Sequence, residues 1–228
     1  MEITGTTLSS LPTIIVSVGA LGTAAFGLVD ALKALPGGGI SRAGFGFVRQ
    51  AILKVTPEVA SLKQTGLSQD SVLYTLQSQW INGVAAADQL NIAKSLIKLR
   101  LTPDTAATLA TATGVDAAIL AQIAASIQSG TALTTTQSDV YGRFDLLLTT
   151  LLDQAYQRAA QRYRNIAKVA AIPVAVALAV TAAYVLPNQI DIPRAILLGL
   201  VATPIAPVAK DISSAISTAV QTIQAWKR

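Results

Sequence analysis

The sequence predicts an all-α integral membrane protein with three transmembrane helices and a cytoplasmic helical domain. Three observations carry this. Charged residues make up 13% of the 228 residues and hydrophobic residues 52%, where an ordinary soluble domain carries about 25% charge. Three runs, Ile14 to Val29, Val169 to Leu186 and Ala195 to Ala209, contain no charged residue. Between the first two, apolar residues recur at helical spacing and are punctuated by capping residues.

The first element occupies residues 1–36. Counted from Leu11 to Leu35 it has length enough to cross a hydrocarbon core of roughly 30 Å. Asp30 and Lys33 stand three residues apart near its end, which predicts an ion pair at the membrane interface. Pro36 and three glycines then stop the helix. Met1 to Ser10 contains Glu2 and no Lys or Arg, so this run lacks the basic start of a signal peptide.

Residues 37–135 predict a cytoplasmic helical domain. Ser41 is a candidate N-cap, and Phe45, Val48, Ile52 and Val55 recur on one helical face. With Arg42, Arg49 and Phe47 alongside, that face fits either the headgroup plane or the domain core. Pro57 suits the first turn of a following helix. Val72, Leu73, Leu76 and Trp80 share a face, as do Leu90, Ala93, Ile97 and Leu101. Thr102-Pro103 opens another helix and Gly114 closes it; Asp116 opens the next, which carries Ile119, Leu120, Ile123 and Ile127 and ends at Gly130. Asp70, Asp88, Asp104 and Asp116 are scattered, mostly near predicted helix starts, where a carboxylate caps and complements the helix dipole.

Residues 136–186 read as one long helix running into the second span, with Gly142 and Pro173 the only helix-disfavouring residues from Asp139 on. Pro173 predicts a kink. Arg158, Arg162, Arg164 and Lys168 are expected at the headgroups and Tyr184 at the opposite interface. Residues 187–209 form a short connector and the third span. Its uncharged run rises only about 22 Å and contains Pro204 and Pro207, which implies local thinning or a partly re-entrant path. Residues 210–228 predict a separate amphipathic helix, with Ile212, Ile216, Val220, Ile223 and Trp226 on one side. That face suits the membrane surface, with Trp226 at the interface, or a helical partner.

The charge balance is +5, and no dense basic patch suits nucleic acid. Its basic residues flank the spans on the side of the central region, and the positive-inside rule then places the N-terminus outside and the central domain and C-terminus in the cytoplasm. The lipid bilayer, with its anionic inner leaflet, is the first expected partner.

The chain has neither His nor Cys. That excludes imidazole bases, thiolate nucleophiles, disulfides and the common zinc and iron–sulfur sites. The carboxylates do not cluster, and the pairs Asp30 with Lys33 and Arg143 with Asp145 look like interface pairs. No catalytic residue, cofactor or metal is therefore expected. The residues that stand out are small ones. Gly19, Gly22, Thr23 and Gly27 lie along the first span and Ala171, Ala175 and Ala179 along the second, and small residues let membrane helices approach closely.

From Asp139 onward, Phe144-Asp145, the basic aromatic stretch at Tyr163, Arg164 and Asn165, and the turn holding Asn188 and Asp191 resemble the C-terminal half of uncharacterised bacterial integral membrane proteins. Those have a long cytoplasmic helix and a C-terminal transmembrane hairpin. The resemblance covers about 90 residues, departs at Thr203 to Pro207, where those proteins carry an aromatic ending, and implies a bacterial inner (cytoplasmic) membrane but no activity. Together these features predict a non-enzymatic membrane scaffold that forms a homo-oligomer or joins a larger membrane complex. The alternative is a channel or pore-forming subunit.

Overall fold

The computed structural model describes residues 5–32, 39–185 and 190–226; side chains at 5–12, 41, 212–213 and 215–226 lie outside the description. Every regular element among the described residues is helical. In order these are α1 (Gly5–Ala31), a 3₁₀ turn, α2 (Arg42–Val55), a second 3₁₀ turn, α3 (Gln69–Ile81), α4 (Ala86–Leu99), α5 (Pro103–Thr113), α6 (Ala117–Ser129), α7 (Thr135–Val185) and α8 (Ile192–Trp226). Two compact units result, one of residues 41–163 and one of residues 1–40 with 164–228.

In the unit of residues 41–163, local sequence sets the helix ends. Ser68 Oγ accepts the Ser71 N–H at the start of α3, and Asp116 Oδ1 accepts the Ile119 N–H at 2.9 Å at the start of α6. Thr102 and Thr105 cap each other reciprocally at the start of α5, just before and within its Pro103 turn. Thr134 and Gln137 do the same for α7, at 3.3 and 3.0 Å. Gly114 and Gly130 end their helices at φ of 72° and 69°, the left-handed conformation that other residues adopt only under strain.

The core of this unit is continuous. Phe45, Val48, Ile52 and Val55 of α2 bury together with Val72, Leu76, Ala93, Ile97, Leu109, Leu120 and Ile123. The apolar face of α2 therefore belongs to the core, while Phe47 stays on the outside. Pro57 sits in the loop after α2 rather than in a helix. α2 comes so close to α7 that a Cβ on Gly44 would strike the Ala159 carbonyl and the Trp80 ring. Phe144, Leu148, Leu152, Tyr156 and Ala159 of α7 complete the same core. The domain boundary expected at 135–136 thus falls later in the chain. The first half of α7 packs into this unit, because its stripe at Phe144, Leu148 and Leu152 is the apolar face that α2 to α6 lack a partner for.

In the other unit, three helices are long and apolar enough to cross a membrane: residues 13–31, the second half of α7, and residues 192–211. The expected break between a third span and a separate tail helix is absent, since α8 is one helix through Pro204 and Pro207. A proline removes one i→i−4 bond but leaves the rest of the ladder, and apolar surroundings favour keeping that ladder. The shortfall in span length disappears with it. Pro173 likewise sits inside an unbroken α7.

Candidate functional site

The helix surfaces of the membrane-type unit are sorted by size. Among the described residues, Ala25, Ala171, Ala175, Ala179, Ala195, Ala202, Ala206 and Ala209 are buried, and Val29 and Thr203 are the larger side chains buried with them. Val169, Val185, Leu197, Leu200 and Val208 face outward, between 47% and 71% exposed. A protein folded in water puts its large apolar residues inside. The opposite order suits hydrocarbon, where association relies on close backbone approach.

The seams are tight. A Cβ on Gly19 would strike the methyl of Ala209, and one on Gly22 would strike the carbonyl of Ala202. One on Gly199 would meet the backbone of Val176 and Ala175. Thus Gly19, Gly22, Ala171 and Ala175 all lie at helix contacts. Gly27 does not: it is exposed, and a Cβ there would meet open space. Five residues at 3.6 per turn carry Gly27 about 140° around α1 from Gly22, so the two cannot share one seam.

Beside the α1–α8 seam lies a groove of about 890 Å³, lined by Val16, Gly19, Thr23, Ala206 and Pro207 and ending at Lys210. Thr23 Oγ1 donates to the Gly19 carbonyl at 2.9 Å and Thr181 Oγ1 to that of Ala177 at 2.8 Å, so neither hydroxyl is left over. Thr203 differs. It is 6% exposed, and among the described residues its Oγ1 has no hydrogen-bond partner. Its own carbonyl and that of Leu200 would serve the N–H groups that Pro207 and Pro204 lack. Replacing Thr203 with valine keeps the shape and removes the unsatisfied hydroxyl. It is expected to raise stability by about 1 kcal/mol, which a higher melting temperature in detergent would report.

The expected interface residues lie as follows. Arg158, Arg162, Arg164 and Lys168 are exposed along α7, and Tyr184 is 70% exposed near its end. Lys33, and with it the expected pair to Asp30, lies outside the described residues, as does the Trp226 side chain.

The seams also give the directions of the helices. Along α1, Gly19 meets Ala209 and Gly22 meets Ala202, so α1 and α8 are antiparallel. Gly199 meets Val176, with only residues 186–191 between α7 and α8, so that pair is an antiparallel hairpin. α1 and the second half of α7 therefore run the same way. Three alternating crossings with the N-terminus outside require the reverse, with α1 parallel to α8 and antiparallel to α7. The charge pattern fixes which flanks are basic and carries no information on which helix contacts which.

Two charged features sit in the other unit. Asp145 does not pair with Arg143. Lys94 and Lys98, four residues apart on one face of α4, both reach it: Lys94 at 3.4 Å, and Lys98 in direct contact. Lys98 also stands 5.3 Å from the Tyr141 ring centre. Burial raises the Asp145 carboxyl's hold on its proton, but the hydrogen bond and charge of Lys98, joined by Lys94, outweigh it and leave the group below the usual carboxylate value. A depressed carboxyl stabilises the fold above its unfolded value near pH 4 and loses that contribution as pH falls through the folded value. Asp145→Asn is expected to cost about 1 kcal/mol at pH 7 and to flatten the acid limb of a stability–pH curve. An unchanged limb would dismiss the cluster as decoration.

Arg100 is 1% exposed. Its guanidinium donates to the carbonyls of Leu67 and Pro57. Its own carbonyl accepts from Thr105 Oγ1 at 2.6 Å. Burial lowers its pKa from the ordinary value, and the charge of Glu58 pulls the other way. Arg100 thus joins the loops on either side of the second 3₁₀ turn to the α4–α5 connection, a structural use of a cation. Among the described residues, no group of three or more Asp or Glu could hold a metal ion. No protein-family model, curated protein or solved structure matches this chain.

Proposed function

We propose that this protein is a non-enzymatic membrane scaffold, anchored by its apolar helices and assembling into a homo-oligomer or a larger membrane complex. The observation that carries this reading is the reversed sorting of side chains, with alanine and glycine inside and leucine and valine outside. Such a unit leaves most of its apolar surface to lipid or to other chains. The central unit, with exposed Arg42, Arg49, Arg158 and Arg162, complements an anionic bilayer surface at about 1 kcal/mol per basic residue near it. The positive-inside bias supports a cytoplasmic place for it, and the resemblance of residues 139–228 supports a bacterial inner membrane. A lysine-reactive cross-linker applied to intact membranes tests assembly. The expected product is a ladder or a fixed larger species, and the 23.6 kDa chain alone would overturn the reading.

The channel reading keeps one observation in its favour, the unpartnered Thr203 hydroxyl beside carbonyls freed by Pro204 and Pro207. Polar groups at membrane depth are tolerated where they line a wet cavity. Conductance across a planar bilayer that changes with Thr203→Val would favour a pore; silence favours the scaffold.

A further inference from the structure

We infer that the groove between α2 and the first half of α7 is a binding site for the headgroup of an anionic phospholipid. The inference rests on the membrane reading above and concerns residues 41–163 alone. Gly44 stands against the Ala159 carbonyl. Farther along α2 and earlier along α7, the two helices frame a groove of about 240 Å³. They therefore run antiparallel there. The walls come from Phe47, Gln50 and Lys54 of α2 and from Leu151, Gln154 and Arg158 of α7. On each helix these residues stand three or four apart and share one stripe. Arg158 thus lies at the Phe47 end and Lys54 at the Leu151 end. Seven residues of helix, about 10 Å, separate the ends, with the two glutamines between.

Each end of the groove carries a cation, and no carboxylate lines it. Lys54 and Arg158 are exposed, and among the described residues neither has an ion-pair partner. The nearby acids are absent, turned away or engaged. α2 contains none. Asp153 lies about 150° around α7 from the middle of its stripe. Glu58, beyond the end of α2, pairs with Lys63 at 3.7 Å, and Asp145 is held by Lys94 and Lys98. Arg162, four residues beyond Arg158 on the same face of α7, extends the positive end. Two cations facing one groove without a carboxylate suit a phosphate, on which an arginine fork donates two parallel hydrogen bonds. The glutamine amides can donate to and accept from headgroup hydroxyls. Phe47 selects a lipid over a free phosphate. Its ring is 39% exposed at the Arg158 end, an apolar surface that the root of an acyl chain covers and an inorganic anion does not.

Native mass spectrometry of the full-length chain in a neutral detergent reads the site, with phosphatidylglycerol and phosphatidylcholine offered at equal concentration. Preferential retention of phosphatidylglycerol is expected. Lys54→Gln combined with Arg158→Gln should reduce that preference on the order of tenfold. Lys63→Gln combined with Arg143→Gln removes the same charge from exposed positions outside the groove and should leave the preference within about twofold, since distant exposed charges are screened. Gln50→Lys adds a cation to the groove and should raise the preference, a gain that a misfolded chain cannot mimic. Equal retention of the two lipids, or equal losses in the two double variants, would overturn the inference and leave the membrane reading intact. Inorganic phosphate that displaces the lipid at constant ionic strength would assign the groove to a soluble anion and overturn it as well. A chain that stays in solution without detergent would overturn the membrane reading, and the inference with it.

Discussion

Replacing Arg100 with alanine is expected to destabilise the central unit by about 4 kcal/mol. The Leu67 and Pro57 carbonyls lose their donor inside the protein, and each buried unsatisfied group costs roughly 1–3 kcal/mol. The residue is 1% exposed, so water cannot take its place without opening the loops. Arg100→Lys keeps the charge but not the fork that serves two carbonyls at once, and should fall between wild type and alanine. Arg49→Ala removes an equal charge from the exposed face of α2 and should stay within about 0.5 kcal/mol. Unfolding followed by Trp80 fluorescence in a Trp226→Phe background reads the difference. Equal effects of Arg100→Ala and Arg49→Ala would contradict a structural role for Arg100.

Gly22→Leu is expected to force α1 off α8, at a cost of about 3 kcal/mol, the upper part of the range for overpacking. The new side chain would have to pass through the Ala202 carbonyl and the Ala206 methyl, and neither is the far end of a flexible group. Gly27→Leu makes the same chemical change on the open face of α1, five residues on. It should leave the melting temperature of the detergent-solubilised chain nearly unchanged. If Gly27→Leu instead dissolves an oligomer without lowering that temperature, the outer face of α1 serves contacts between chains. Equal losses from both variants would contradict the seam.

Local chemistry was the legible part of this fold. Thr102, Pro103, Gly114, Asp116 and Gly130 mark helix ends because their reasons lie within four residues of themselves. The small residues at Gly19, Gly22, Ala171 and Ala175 were legible as packing residues for a similar reason, since only a close neighbour explains an apolar helix that avoids large side chains along one stripe. Gly27 was grouped with them by composition, and the helical angle alone separates it. The features that escaped depend on distant partners. Nothing in Lys98-Leu99-Arg100-Leu101 distinguishes the buried arginine from the lysine two residues before it; the acceptors lie 33 and 43 residues away. Asp145 has a nearer cation in Arg143, yet it pairs across 51 residues with Lys94. Helix direction escaped for the same reason: hydropathy records how much of each helix suits lipid and not which way it runs. Proline misled in the opposite sense. Pro204 and Pro207 read as a break, because in water the freed carbonyls would be solvated; in an apolar unit the unbroken helix is the cheaper arrangement.

The mass of the solubilised particle tests the scaffold most directly. Light scattering on the detergent-extracted protein, with the detergent contribution subtracted, should give a multiple of 23.6 kDa that persists on dilution at constant detergent, or a larger fixed mass with a second component. A stable particle of 23.6 kDa under the mildest extraction would contradict the scaffold, because the apolar helix faces would then answer to lipid alone.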